Sequence, residues 1–157
     1  CCRFGCTSLR RGLTQVLGAM EDNELAAAIP EMLRLAHELI PMLLQGEDPR
    51  MQILQQQWPL ATVTISQPSP CGFYADISVP REAPRVVAPS QCSGNADIPV
   101  HGCNEPAGCI LYVVDGSLQF LEVYNVIDWS EPPVFEHPQN VQAFVFNSPD
   151  ATVGHSA

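Results

Sequence analysis

The chain reads as an α+β protein, with N-terminal helices packed on a mainly antiparallel sheet of four or five strands. Three observations predict this. Of the 15 prolines, three fall before Gln57 and twelve after it, which separates a helical third from a strand-and-loop remainder. From Pro30 to Leu44 the apolar residues Met32, Leu33, Ala36, Leu39, Ile40, Leu43 and Leu44 recur at helical spacing and give one face to lay on a sheet. The run from Cys109 to Asn125 is two β-rich segments joined by Asp115-Gly116, the residues that supply the two positive φ angles of a type I′ turn. With 157 residues and 46% apolar content, the chain can bury the core of one compact domain. Within that domain, residues 1–19 form a disordered or non-native leader, 20–57 are helical, and 60–147 form the sheet with long proline-rich loops. Because the sequence begins at Cys, Met20 with the acidic run Glu21 to Glu24 would make a native start.

Taken in order, Thr7 or Ser8 can cap a short helix through Ala19, and Asn23 another, with Pro30 opening or kinking the helical stretch after it. Pro41 removes a backbone donor and clashes with the preceding turn, which predicts a kink or break near Leu39; Gly46 is a stop signal. Asp48-Pro49 starts a further helix, with carboxylate as N-cap and proline at the first helical position, running to about Gln57. Trp58-Pro59 ends it, because the residue before proline is pushed out of the α region. Strands follow over 61–66 (Val63 and Ile65 against Thr62 and Thr64) and 73–79 (Phe73, Ala75, Ile77 and Val79 against Tyr74, Asp76 and Ser78). The hairpin adds two more, and 141–146 a fifth. Residues 80–106 and 130–138 lack periodicity and read as long loops.

A two-residue turn sets the register of the hairpin: Val114 with Ser117, Val113 with Leu118, Leu111 with Phe120, Cys109 with Glu122. One face then carries Cys109, Leu111, Val113, Leu118, Phe120 and Glu122, and the other Ile110, Tyr112, Val114, Ser117, Gln119 and Leu121. On so apolar a face Glu122 would lose hydration, which favours its neutral form unless a donor compensates. It is therefore the leading candidate for a ligand-anchoring or acid/base group, with Tyr124, Tyr74 and Asp76 nearby. The competing reading is a strand-end carboxylate bonded to backbone or to an arginine. Trp129, flanked by Asp128 and Glu131, is a further ligand-binding candidate, for a sugar or an amine; otherwise it is a packed indole beside an exposed acidic loop.

The soft donors Cys92, His101, Cys103 and Cys109 raise the question of zinc, but no C-x-x-C knuckle is present and Cys109 should point into the core. Cys1, Cys2 and Cys6 invite the same question with less support. With seven cysteines, an odd number, no disulfide framework is implied. His37, His101, His137 and His155 sit in no nucleophile setting. The G-x-S-x-G, Walker, dinucleotide and H-E-x-x-H patterns are absent, so no cofactor and no catalytic residue is expected.

All seven basic residues are Arg, against 17 Asp plus Glu, for a net charge of -10. From Val86 to the end there are eight carboxylates and no Lys or Arg, a polarity that repels phosphate backbones and anionic membranes and attracts a cationic protein. With neither a membrane-spanning run nor a signal-peptide pattern, a soluble cytoplasmic protein is expected.

The segments Gly46 to Pro49, Leu54 to Val63, Gly72 to Pro80 and Gly108 to Tyr124 together resemble an uncharacterised bacterial domain family. In that family a helix leads into a strand, a Gly-Phe strand ends in Val-Pro, and a hairpin carries V-x-D-G-x-L-x-x-L-E. The resemblance covers about residues 43 to 129 and ends before Ile40 and after Pro133. It implies that Glu122 is the motif glutamate and brings no activity with it. The function expected is a non-catalytic protein-binding module of immunity or antitoxin type. The alternatives are a small enzyme or ligand-binding domain centred on Glu122, and a structural subunit that self-associates through Trp58 or Trp129.

Overall fold

A computed structural model describes residues 20–147. The leader, the short helix ending at Ala19, Cys1, Cys2, Cys6 and His155 lie outside the described residues. Three helices precede the strands: α1 (Asp22–Ala27), α2 (Ile29–Leu43) and α3 (Pro49–Gln57), followed by a 3₁₀ turn at Trp58–Leu60. The strands are β1 (Thr62–Ser69), β2 (Gly72–Ser78), β3 (Gln91–Ser93), β4 (Asn95–Asp97), β5 (Gly108–Val114), β6 (Ser117–Tyr124) and β7 (Gln139–Gln142). Five of them form an antiparallel sheet in the order β1-β2-β6-β5-β3, and β4 and β7 form a second, two-stranded sheet. The expected α+β class and five-stranded sheet are therefore present. The fifth strand is β3, drawn from the segment read as a loop. The pairing part of 141–146 lies earlier, at 139–142, while Phe144 and Phe146 beyond it are buried against the core.

Local chemistry explains most boundaries. α1 starts two residues earlier than expected: Glu21, not Asn23, is its N-cap and donates its backbone N–H to the Glu24 carboxylate (3.0 Å). α2 opens with Pro30 in its first turn and runs unbroken through Pro41 to Leu43, so the predicted break at Leu39 does not occur. Proline is tolerated because it falls in the last turn. It leaves one carbonyl without its helical donor, and the burial of Leu35, Leu39, Ile40 and Leu43, each worth about 1.5–3 kcal/mol, outweighs that loss. α3 has the predicted cap, with the Asp48 carboxylate accepting from Arg50 N (2.9 Å) and from the Arg50 guanidinium (2.7 Å).

The helices lie on one face of the sheet. Met32, Leu35, Ala36, Leu39, Ile40, Leu43 and Leu54 meet Phe73, Ala75, Leu111, Val113, Leu118, Leu121 and Val123 in a common core. Polar bonds fix the periphery to this core. Arg34 bonds Glu31 (2.6 Å), Glu38 (2.8 Å) and the Phe135 carbonyl (2.9 Å), and the Glu31 carboxylate accepts from Phe135 N (3.2 Å). That network pins the 130–138 segment to α2.

Candidate functional site

The opposite face of the sheet is covered by no described helix, and one irregularity decides what it displays. The hairpin turn is as predicted: Asp115 (φ 51°) and Gly116 (φ 77°) are left-handed, and Val114 pairs with Ser117 and Val113 with Leu118. Beyond this second rung the register shifts. Tyr112 pairs with Phe120, Leu111 with Leu121, Ile110 with Glu122 and Cys109 with Val123, so Gln119 is the extra residue of a β-bulge. A one-residue slip moves every later side chain to the other face. The expected partnership of Glu122 with Cys109 and of Phe120 with Leu111 is thus corrected. Leu121 and Val123 enter the core, while Phe120, Glu122 and Tyr124 turn outward. Glu122 is therefore not desolvated by the core face on which the two-residue register alone would place it.

Outward parity on the neighbouring strands completes the face. Tyr74 pairs with Glu122 and Asp76 with Phe120 on one side; Ile110 and Tyr112 flank them on the other, and Cys92 of β3 pairs with Tyr112. The rings of Tyr112 and Phe120 stack at 4.2 Å between centroids, and Tyr74 meets Phe120 edge-on at 5.6 Å. The Tyr112 hydroxyl donates to Glu122 Oε2 (3.0 Å). Tyr124 lies over Gly108, where a Cβ would come within 2.5 Å of its ring. Four of the five ligand-binding candidates, Glu122, Tyr124, Tyr74 and Asp76, therefore share one face. Phe120 and Tyr112, which sequence reasoning placed elsewhere or left out, complete it.

Trp129 is a correction: it is 1% exposed and packs edge-on against Phe135 (5.5 Å), on the core side, so it offers no ligand-binding or self-association surface. Trp58 is half-buried against the His37 ring (5.6 Å). The four soft donors do not converge. Cys92 is on the outer face, Cys109 is fully buried on the inner one, and His101 and Cys103 are exposed in the loop beyond β4. Among the described residues no group of three or more His, Cys, Asp or Glu could hold a metal ion. Burial raises the Cys109 thiol to about 12, which keeps it protonated and inert. Cys71 is disulfide-bonded, while Cys92, Cys103 and Cys109 are thiols. A polar recess of about 260 Å³ lies at the turn end of the hairpin, among Ser78, Arg85, Asp115 and Gln119; Glu122 is not part of it.

Burial, and then the bond to the Glu122 carboxylate, push the Tyr112 phenol well above the ordinary tyrosine range; Tyr124 is raised by burial first and also by the nearby Glu122 charge. Both shifts favour the protonated phenol in the folded state. The stability they contribute is present below the unfolded tyrosine value of about 10 and is lost as pH rises through the folded values. Absorbance titration near 295 nm should show phenolate forming at higher pH in the folded chain than in urea. Coincident curves would contradict the geometry.

No family model, curated protein or solved structure matches this chain. Among the described residues no helix is long and apolar enough to cross a membrane.

Proposed function

We propose that this chain is a non-catalytic binding module that docks a cationic protein on the outer face of its sheet, in the manner of an immunity or antitoxin-like protein. One observation carries the reading. None of the five strands contains Lys or Arg; their two carboxylates, Asp76 and Glu122, both lie on the outer face, diagonal to one another beside four aromatic rings. Such a face is electrostatically one-sided and partly apolar, which suits steering by charge followed by burial of rings. The resemblance to the bacterial hairpin family agrees with it, because the motif glutamate is the carboxylate at the centre of the face. Action on an intracellular partner would place the module in the cytoplasm.

The test compares the immobilised wild-type chain with the double variant Asp76→Asn/Glu122→Gln and with Glu21→Gln/Asp22→Asn, which removes equal charge from the start of α1. Basic proteins should be retained at low salt by the wild type and the α1 variant, and lost from the face variant. Equal retention by all three would refute the docking face.

A further inference from the structure

We propose that the recess at the turn end of the hairpin binds a small amino acid as its zwitterion, with Arg85 facing the carboxylate and Asp115 the ammonium group; the inference is independent of the docking face. The recess exists because two neighbouring strands part. β2 and β6 pair only as far as Asp76 and Phe120, where the bulge at Gln119 intervenes, whereas β2 stays paired to β1 as far as Ser78 and β6 to β5 as far as Ser117. Between the parted ends lie about 260 Å³, room for roughly eight or nine waters, which suits a small amino acid and falls short of a drug-sized pocket. Ile77, Ser117 and Leu118 are buried at its base, and Arg85, Asp115 and Gln119 are exposed at its rim.

The two charges of the recess are carried on anchored backbone. Arg85 stands between two fixed residues: the Pro84 carbonyl accepts from Gln57 Nε2 (2.7 Å), and Val86 N donates to the Gly116 carbonyl (3.0 Å). Asp115 is held in its left-handed turn conformation and donates its N–H to Ser90 Oγ (3.0 Å). Although both line the recess, Arg85 and Asp115 form no salt bridge, with one another or elsewhere, among the described residues. No other charged side chain lines it. A simple anion would be opposed by Asp115 and by the chain's net charge of -10, and a simple cation would be opposed by Arg85. A ligand that carries both charges satisfies both walls at once. The guanidinium can donate two parallel N–H bonds to its carboxylate, and the Asp115 carboxylate can accept from its ammonium group. Because the backbone under each charge is already in place, little ordering is left to oppose binding.

The experiment adds glycine, β-alanine, γ-aminobutyrate and ε-aminocaproate, which set the two charges progressively further apart, to the isotope-labelled whole chain and follows its amide resonances by NMR. At least one acid should bind with a Kd of about 1 mM or tighter and move the amides of Arg85, Ser117 and Gln119. Propionate and propylammonium, with one charge each, should bind about tenfold more weakly than that acid. Arg85→Gln and Asp115→Asn should each weaken it by about the same factor; the second keeps the turn, because Asn-Gly suits the same pair of positive φ angles. Arg81→Gln removes a charge from the same loop outside the recess and should change nothing. Unmoved recess amides with all four acids, or shifts that survive both recess variants, would overturn the site. Propionate or propylammonium binding as tightly as the best acid would overturn the zwitterion assignment.

Discussion

Replacing Gln57 with leucine is expected to destabilise the protein by about 3 kcal/mol or more, although the change makes a buried side chain more apolar. Gln57 ends α3 with no exposed surface. Its Nε2 donates to the Pro84 carbonyl (2.7 Å) and the Gly116 carbonyl (2.9 Å), and its Oε1 accepts from Leu118 N (3.0 Å). One amide thus ties the last turn of a helix to the proline-rich loop after β2, to the hairpin turn and to the start of β6. Leucine would leave the Leu118 N–H buried without a partner and take a donor from the Pro84 carbonyl; the Gly116 carbonyl keeps the N–H of Val86 (3.0 Å). Each orphaned group costs about 1–3 kcal/mol, more than the methyl groups return. Urea unfolding should show the drop, and Gln56→Leu, on an exposed position of the same helix, should stay within about 0.5 kcal/mol. A Gln57→Leu variant as stable as Gln56→Leu would mean that the amide is not clamping the turn.

The same hairpin shows how much of the site was legible in the sequence. Asp115-Gly116 announces the turn because few dipeptides supply two positive φ angles, and the first two rungs follow from it. The bulge is harder to see, since it is a conflict between two parities rather than a residue type. Leu118 demands one face; Leu121 and Val123 demand the opposite one, and only an extra residue between them satisfies both. Glu122, a carboxylate flanked by two apolar residues, was the available signal that the later parity should prevail. The helices were readable because each buries a periodic face, whereas Pro41 misled because local backbone cost was weighed without the tertiary burial that exceeds it. Trp129 and β3 were not readable: both sit in stretches without periodicity, where position is settled by distant partners such as Phe135 and β5.

Gly116→Ala should be severely damaging, with an expected loss of about 4 kcal/mol or more and failure to accumulate as folded protein. Two costs combine. At φ 77° any Cβ is strained, by about 1–2 kcal/mol. A Cβ there would also stand 2.1 Å from the Val86 carbonyl oxygen and 3.0 Å from its nitrogen, backbone atoms held in place by the hydrogen bond from Val86 N to the Gly116 carbonyl. Relief requires the 80–90 segment to leave the turn, which also exposes Val86 and pulls the Gln57 clamp apart. Gly102 separates the two costs: its φ is 79°, yet a Cβ at that position meets nothing within 4 Å. Gly102→Ala should therefore lose only the conformational part, about 1 kcal/mol. The difference between the two variants in thermal or urea unfolding measures how closely the loop is seated on the turn. Since the hairpin register starts at this turn and the bulge reverses it two rungs later, a shifted turn also moves Phe120 and Glu122 off the outer face. Equal losses of stability in the two variants would show that the close approach at Val86 is not made.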